Sequence, residues 1–331
     1  MSSSKIMAAL ERHEPTRCTV VGTGYMGGGI AQVLALHGHQ VQLADIDAAS
    51  TRRARERLLA EGKRYADAGL FPSDASELLA ANLHAANSYE EALDGASYIV
   101  EAVPERIEIK QAALESISSF APSDAVVGSN TSSMPIRQLS AFVSHPERFL
   151  GVHWMNPAPF VPGVEMIPGP VTEDAALESA THLIASLGKV ATRVVDSAGF
   201  VANRLQFALY AEAARIVDEG LATPAEVDAV VSSTFGFRLA FFGPFAIGDM
   251  AGLDVYASSY ETLQDRFGDR FAMPKPVAEA MASGNLGIKT GEGLLPLRQG
   301  EVSELLKYRE TAYARLSQLR AELGAPPAFG Q

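Results

Sequence analysis

The sequence predicts an α/β domain with a doubly wound, mainly parallel sheet, followed by an all-α domain. Over the first two-thirds of its 331 residues, short apolar runs alternate with amphipathic helical patterns. Such alternation is typical of parallel strands with helices on both faces. After Asp196 the pattern is almost entirely helical. A chain of this length also exceeds what one modest core supports, so two domains are expected.

The candidate strands of the first domain are short apolar runs bounded by turns. They are Cys18–Gly22, Gln40–Ala44, Leu83–Ala86, Ser97–Val103, Ala125–Ser129, Phe149–His153, Val164–Ile167 and Val190–Val195. The candidate helices between them are Met26–Leu36, Ala48–Ala66, Ile107–Phe120 and Asp174–Leu187. Because parallel strands need long crossovers and the last strands lie close together, part of the sheet can be antiparallel.

The second domain is expected to begin after the link Ser197-Ala198-Gly199. Phe200–Glu219 is a long periodic segment, and Thr223-Pro224-Ala225-Glu226 is a capping box that opens a new helix. Ser303–Leu323 is a further amphipathic helix. The predicted division is a flexible tail over residues 1–15, a sheet domain over 16–197 and a helical domain over 198–331.

Composition and charge exclude several classes of function. The formal net charge of −12 argues against a nucleic-acid partner, which requires a basic surface. A single cysteine, Cys18, excludes an internal disulfide and a cysteine-built metal site, and it fits a reducing cytoplasm. No apolar run approaches the roughly 20 residues of a membrane span, and residues 1–15 lack the apolar segment of a signal peptide. We therefore expect a cytoplasmic protein that binds a small molecule and no metal.

A glycine-rich segment follows the first strand directly. Gly22, Gly24 and Gly27 have the spacing G-x-G-x-x-G and precede the first helix, with Tyr25 and Met26 inside the motif. In this context the first glycine makes a tight turn, the second lets a pyrophosphate approach the backbone, and the third lets the helix pack on the strand. The N-terminus of the helix then offers free N–H groups to the phosphates. The segment predicts a Rossmann-type dinucleotide site formed by these five residues.

Asp45 ends the second candidate strand, 21 residues after Gly24. An acid at this position accepts hydrogen bonds from the adenosine ribose hydroxyls and repels a 2′-phosphate, so NAD is favoured over NADP. The alternative is a glycine turn followed by an aspartate that caps the next helix.

Oxidation of a hydroxyl with hydride transfer to nicotinamide needs a base, and His153 is the strongest candidate among seven histidines. It ends an apolar strand, and ligands bind at the carboxyl edge of such sheets. Glu165, twelve residues later, lies within the apolar run Val164–Ile167, where an acid is costly unless it is paired. Neighbouring strands would bring the two together, so that the carboxylate orients the imidazole. A strand histidine and a solvated glutamate are an equally open interpretation of this spacing.

Two polar segments complete the candidate site. Ser129-Asn130-Thr131-Ser132-Ser133 follows an apolar strand, and Asn203 lies in the first turn of the long helix after Gly199. On pattern alone, the first segment is also typical of a helix cap before Pro135, and Asn203 of an ordinary polar residue at a helix start.

Together these residues resemble the L-3-hydroxyacyl-CoA dehydrogenases, a family that includes the 3-hydroxybutyryl-CoA dehydrogenases. The similarity extends from about Arg17 to Gly293. Its motifs are Gly22-Thr-Gly24-Tyr-Met-Gly27, Glu101-Ala-Val-Pro-Glu105, Ser129-Asn-Thr-Ser-Ser133, His153-Trp-Met-Asn-Pro157, Gly199-Phe-Val-Ala-Asn-Arg204, Gly243-Pro-Phe245, Gly252-Leu-Asp254 and Lys289-Thr-Gly291.

The resemblance implies an enzyme that reversibly oxidises the 3-hydroxyl of a 3-hydroxyacyl thioester with NAD, CoA being the expected thiol. It implies that His153 is the base, Glu165 its partner, Ser132 the residue on the reacting oxygen, and Asn203 the residue on the substrate carbonyl. It also implies a homodimer formed through the helical domain. The residues that it adds to the NAD site are Glu105, Lys110, Asn156 and Lys289.

Two departures from the family leave the substrate open. The basic stretch from Ser50 to Arg64 either grips CoA phosphates or is a solvated helix face. Gly293 is followed by Leu-Leu-Pro instead of an aromatic pair. Carnitine and gulonate dehydrogenases are relatives with such differences, so a free or carrier-bound hydroxy acid, or another small alcohol, is the alternative substrate. A non-catalytic NAD-binding protein, similar to the related lens crystallins, is the third possibility.

Overall fold

An eight-stranded sheet forms the centre of the first part of the chain. The computed structural model describes residues 15–298 and 300–325, so the predicted tail, apart from Pro15, lies outside the described residues. The strands are β1 Arg17–Val21, β2 Gln40–Ala44, β3 Leu83–Ala85, β4 Tyr98–Glu101, β5 Val126–Ser129, β6 Phe149–Trp154, β7 Gly163–Pro168 and β8 Val190–Arg193. All eight correspond to predicted strands.

The strand order is β3-β2-β1-β4-β5-β6-β7-β8. Every pair is parallel except β6 and β7, which are antiparallel, so the predicted doubly wound and mainly parallel fold is confirmed. Since the strand order reverses between β1 and β4, the carboxyl ends of these two strands flank the crevice where such sheets bind ligands.

Helices cover both faces of this sheet. They are α1 Tyr25–Leu36, α2 Ala48–Asp67, α3 Ala75–Asn82, α4 Tyr89–Leu93, α5 Ile107–Phe120, α6 Ile136–Leu139 and α7 Asp174–Ser186, with 3₁₀ turns at Ser140–Phe142 and Pro146–Arg148. Successive strand residues point to opposite faces. Val20 therefore packs with Ile30 and Leu34 of α1, whereas Val21 packs with Leu114 of α5. Each such fully buried aliphatic side chain contributes about 1.5–3 kcal/mol.

The antiparallel pair β6–β7 fixes the positions of two predicted site residues. His153 lies directly opposite Glu165 in the register, and both side chains point to the same face of the sheet.

The chain divides into two compact units, and the division lies between Ala208 and Leu209. It falls inside the long helix α8, Ala202–Asp218. The physical reason is that the first turn of α8 is bonded to the sheet unit, because the amides of Val201 and Ala202 both donate to Glu165.

The second unit is helical, as predicted. After α8, its helices are α9 Pro224–Ser233, α10 Phe235–Leu239, α11 Pro244–Ala251, α12 Leu253–Phe267, α13 Lys275–Ser283 and α14 Val302–Leu323, with a 3₁₀ turn at Gly268–Phe271. Thr223 and Glu226 form the predicted capping box at the start of α9. Within the described parts of the chain, no helix combines the length and the apolar character needed to cross a bilayer.

Helix α8 begins two residues later than predicted. Phe200 has a φ of +48°, a left-handed conformation that costs a non-glycine residue about 1–2 kcal/mol and cannot continue a right-handed helix. The periodic pattern includes Phe200 because its side chain is buried, although its backbone is not helical.

Candidate active site

The glycine-rich loop leads from β1 into α1 in a conformation that requires two of its glycines. Gly22 has a φ of +89°, and a Cβ there would lie 2.7 Å from the carbonyl carbon of Ala102. A Cβ on Gly27 would lie 1.9 Å from the carbonyl oxygen of Gly22. Both positions therefore exclude any side chain.

Gly24 differs, because a Cβ built on it meets no atom within 4 Å. It is the N-cap of α1, and no side chain caps this helix. The N–H groups of the first turn therefore point at open space beside a glycine, which leaves room for a ligand to approach the backbone closely. These features fit the pyrophosphate of a dinucleotide.

A cleft of about 900 Å³ runs along this edge of the sheet. Its lining includes six of the ten predicted cofactor residues, namely Gly22, Gly24, Tyr25, Met26, Asp45 and Glu105. Tyr89, at the start of α4, also lines the cleft and was missed by the sequence reasoning. The sequence feature that could have indicated Tyr89 is Ser88, a helix-capping residue that follows β3 and starts a helix at the carboxyl edge of the sheet.

Asp45 follows the last residue of β2, and the neighbouring loops fix its carboxylate. Its Oδ2 accepts hydrogen bonds from the amide of Thr23, at 2.9 Å, and from the Thr23 hydroxyl. Its Oδ1 accepts from the amide of Ile46 at 2.8 Å. The group is therefore held at the cleft wall as an acceptor.

His153 and Glu165 form a buried hydrogen-bonded pair. The distance from His153 Nδ1 to Glu165 Oε2 is 2.8 Å, and the two residues are 4% and 7% exposed. A carboxylate only accepts hydrogen bonds, so Nδ1 carries the proton and Nε2 is left as the acceptor. Glu165 Oε1 accepts from the amides of Val201 and Ala202, both at 2.9 Å.

Ser132 lies on the other side of the imidazole ring. Its hydroxyl oxygen is 3.1 Å from His153 Nε2, and it donates to this nitrogen. Asn203 Nδ2 donates to the Ser132 carbonyl at 2.9 Å, and the Ser132 amide donates to Glu105 Oε1 at 2.9 Å. The four predicted catalytic residues are therefore in one connected network, with Nε2 of His153 at its centre.

Glu105 connects this network to the cleft. Burial, the largest influence, opposes its ionisation. The hydrogen bond from Thr131, the charge of Lys110 and the amides of Ser133 and Ser132 together outweigh it and lower the pKa of Glu105 to about 2. Glu105 is therefore an ionised carboxylate at neutral pH.

Lys110 is fully buried, so its ammonium group does not lie on the cleft wall as the resemblance implies. Its Nζ lies 2.8 Å from Glu101 Oε1 and 3.2 Å from Glu105 Oε2. Two carboxylates share one ammonium group, and this shared charge compensates the cost of burying it. The visible role of Lys110 is to hold Glu105 in place.

Asn156 and Lys289 complete the predicted cofactor residues. Asn156 is exposed in the turn after β6 and is not among the residues that line the cleft. Lys289 belongs to the second unit, where its Nζ lies 2.7 Å from Asp254 Oδ1. Asn130 was given no role of its own within the polar segment that precedes Met134, yet it lines the cleft and its Oδ1 accepts from the amide of Trp154 at 2.9 Å.

Comparison with known proteins identifies the family. The family model described as 3-hydroxyacyl-CoA dehydrogenase, NAD binding domain, matches residues 17–197, and that of the C-terminal domain of the same enzymes matches residues 199–296. The chain belongs to the 3-hydroxyacyl-CoA dehydrogenase family. It is an NAD-dependent dehydrogenase that acts on a CH–OH group.

Similar members of the family act on different compounds. The chain is 36% identical to a 5-formyl-3-hydroxy-2-methylpyridine 4-carboxylate 5-dehydrogenase from Mesorhizobium japonicum, over 83% of this chain and 88% of the relative. It is 32% identical to a probable 3-hydroxybutyryl-CoA dehydrogenase from Bacillus subtilis, over 83% and 94%. It is 36% identical to an L-carnitine dehydrogenase from Staphylococcus epidermidis, over 70% and 72%. Family membership therefore establishes the type of reaction, while relatives of similar identity are named for different compounds.

No group of three or more histidine, cysteine, aspartate or glutamate side chains is arranged to hold a metal ion in residues 15–298 and 300–325.

Proposed function

We propose that the chain reversibly oxidises the 3-hydroxyl of a 3-hydroxyacyl thioester, with CoA as the thiol, and that His153 and Glu165 form its general base. The observation that carries this proposal is the pairing of His153 Nδ1 with Glu165 Oε2 at 2.8 Å. That pairing leaves Nε2 able to accept a proton. The same nitrogen lies 3.1 Å from a hydroxyl, that of Ser132, which is hydrogen-bonding distance for a proton acceptor.

The roles of the side chains follow from their contacts. In the oxidation direction, His153 Nε2 takes the proton of the substrate hydroxyl, and Glu165 stabilises the imidazolium that forms. The Ser132 hydroxyl donates to the reacting oxygen. Asn203 uses one N–H on the Ser132 carbonyl, so its second N–H can hold the substrate carbonyl. When NAD is bound, it supplies the hydride acceptor.

The proposed NAD site uses the glycine-rich loop, Asp45 and Glu105. The loop and the first turn of α1 would hold the pyrophosphate, and Asp45 would accept from the ribose hydroxyls. Glu105 is kept ionised at the cleft wall and offers acceptors to the nicotinamide half. Lys110 acts as a positioning residue that fixes Glu105.

A substrate panel tests the proposal. The purified chain is mixed with NADH and acetoacetyl-CoA, or with NAD and carnitine, gulonate and other free hydroxy acids, and NADH absorbance is followed. The proposal requires the highest kcat/KM on the thioester. A preference for a free hydroxy acid would transfer the same chemistry to the alternative substrate class, and no turnover with any compound would favour a non-catalytic role.

One observation favours the second substrate class, free hydroxy acids. Several basic groups of α2 are already bonded within the chain. Arg55 donates to the carbonyls of Leu83 and Ala80, and Arg57 donates to the carbonyl of Thr23. Arg52, Arg57 and Lys63 are exposed, but they are bonded to Asn87, Glu61 and Asp67. The exposed basic groups of α2 that remain for CoA phosphates are Arg53, bonded to Ser50, and Arg64, which lies over the Tyr65 ring.

Charge reversal of these two arginines separates the two classes. In the variant Arg53→Glu/Arg64→Glu, we expect the KM for acetoacetyl-CoA to rise about tenfold, because two attractive contacts with phosphates become repulsive. The KM for a free acid should not change. Lys275→Glu/Arg298→Glu carries the same change in net charge and serves as the control. An unchanged KM for the thioester would refute CoA recognition by α2.

We also propose that the protein is a homodimer formed through the helical unit. None of the 17 residues of α8 is buried, and the apolar side chains of Leu209 and Tyr210, within the helical unit, are 42% and 73% exposed. An apolar face of this size on a helix normally packs against another element. A second copy offers the same face, which makes a closed symmetric contact.

Sedimentation equilibrium tests this assembly. We expect twice the mass of one chain for the wild type and the mass of one chain for Tyr210→Glu, since a buried carboxylate opposes association. The control is Val171→Glu, which changes a similarly exposed apolar residue outside the helical unit and should not dissociate the dimer. A monomeric wild type would disprove the proposal.

The proposed location is the cytoplasm. Cys18 is the single cysteine of the sequence and is buried with a free thiol. Burial raises the pKa of this thiol, so it is not prone to disulfide exchange. A lone inert thiol is compatible with a reducing compartment.

A further inference from the structure

The chain enters α8 through two successive left-handed residues. Gly199 has a φ of +72° and Phe200 a φ of +48°, and Phe200 is the only non-glycine residue with positive φ in the described part of the chain. This turn directs the amides of Val201 and Ala202 at one carboxylate oxygen, Glu165 Oε1. Successive amides that converge after a left-handed residue form an anion-binding concavity.

The Phe200 side chain holds this turn in place. It is 1% exposed and belongs to the same apolar cluster as Ile136 and Ile167. Its ring centroid lies 5.6 Å from that of His153. Burial of the ring therefore compensates the unfavourable backbone conformation, and the ring also keeps water from one side of the imidazole.

Glu165 divides its two oxygens between these groups. Oε2 accepts from His153, whereas Oε1 accepts from the two amides at the positive end of α8. The amides draw negative charge away from the imidazole, so the carboxylate orients the ring without stabilising the imidazolium as strongly as an isolated carboxylate would.

We propose that Phe200 is a positioning residue for the base, acting through its left-handed backbone. This inference rests on the proposed function, in which His153 accepts the substrate proton. Phe200 does not need to touch the substrate. Its contribution is to direct the Val201 and Ala202 amides at Glu165. A residue that resists positive φ at this position would move these amides away from the carboxylate.

Leucine and isoleucine separate this backbone effect from packing. The two side chains have the same volume, but a β-branched residue strongly resists positive φ. We expect Phe200→Ile to have a kcat at least about tenfold below that of Phe200→Leu. The reason is that the isoleucine variant loses the amide contacts that hold Glu165, and with them the orientation of the base. We also expect its kcat/KM to fall off on the acid side at a pH about half a unit higher, because the imidazolium becomes more stable when the amides withdraw.

Phe149 provides the matched control pair. It is fully buried in the same apolar cluster, but it has a φ of −105° at the start of β6, where β-branched residues are favoured. Phe149→Ile and Phe149→Leu should share one pH profile. NAD affinity, measured by fluorescence titration, should be the same in all four variants, since neither Phe149 nor Phe200 lines the cofactor cleft.

A second backbone variant covers the case in which Phe200→Ile does not fold. Gly199→Ala places a Cβ at a residue with a φ of +72°, and the nearest atom would be 3.6 Å away, so the change strains the backbone without a clash. It should move the acid limb of kcat/KM in the same direction. Identical profiles for Phe200→Ile and Phe200→Leu, or a wild-type profile for Gly199→Ala, would overturn the inference.

The outcome can be distinguished from failure of the proposed function. If replacing His153 leaves turnover within tenfold of the wild type, then the base is misassigned and the proposed function fails. If replacing His153 abolishes turnover but the two Phe200 variants agree, only the role of Phe200 is wrong.

Discussion

Replacing His153 by glutamine should lower kcat by about 10²–10⁴-fold, the usual contribution of a general base. Glutamine keeps an N–H donor for Glu165 but has no group that can accept the substrate proton. NAD affinity should change little, because His153 is not among the residues that line the cofactor cleft. Stopped-flow or steady-state measurement of NADH absorbance gives kcat, and fluorescence titration gives the NAD dissociation constant.

His39 offers a matched control. It is also a buried histidine, 6% exposed, and its Nδ1 accepts from the amide of Thr16. Burial, reinforced by the charge of His37, lowers the pKa of His39 to about 4, so it is neutral at working pH. His39→Gln should reduce stability while kcat stays at the wild-type value. A kcat for His153→Gln within tenfold of the wild type would remove the assigned base.

The second large effect is expected for Glu165→Gln. The amide oxygen can still accept from Val201 and Ala202, which leaves the amide NH₂ facing His153 Nδ1. Nδ1 must then accept a hydrogen bond, so the ring proton moves to Nε2, the nitrogen that has to take the substrate proton. We expect kcat to fall by roughly 10²–10⁴-fold without a matching rise in KM.

The double variant His153→Gln/Glu165→Gln checks that the two residues act as one unit. Its kcat should be close to that of the single variants, because the second change removes nothing further once the base is lost. Multiplicative losses in the double variant would show that Glu165 acts independently of His153, which contradicts the proposed pair.

The sheet was predictable from local pattern because each strand is a short apolar run bounded by turns. The helices α3 and α4 were not predicted. Helix α4 has only five residues, and its start depends on the Ser88 side chain, which accepts from the amide of Glu91. Such a segment is too short for a helical period to be recognised.

The strand-end residues of the site were predictable for a topological reason. The carboxyl ends of parallel strands meet at one edge of a sheet, which brings the glycine-rich loop, Asp45 and the segment around Ser132 to one side. The register of β6 and β7 sets His153 opposite Glu165. From spacing alone, the same residues were also compatible with an unpaired strand histidine.

Other features of the site depend on three-dimensional packing. A lysine in a helical pattern is normally exposed, and Lys110 is buried only because Glu101 and Glu105, from a strand end and a loop, converge on it. The left-handed backbone of Phe200 leaves no mark in the hydrophobic pattern, which records burial and not φ.

Strand pairing has a consequence for how this type of enzyme changes its substrate. His153 and Glu165 face each other across two adjacent strands, and a shift of one residue would turn one of them to the opposite side of the sheet. The connection between them, residues 155–162, is anchored as well, because Lys189 Nζ donates to the carbonyls of Ala158, Pro159 and Val161. A change of substrate that leaves both strands in register therefore keeps the base, whereas an insertion or deletion within either strand would separate its two members.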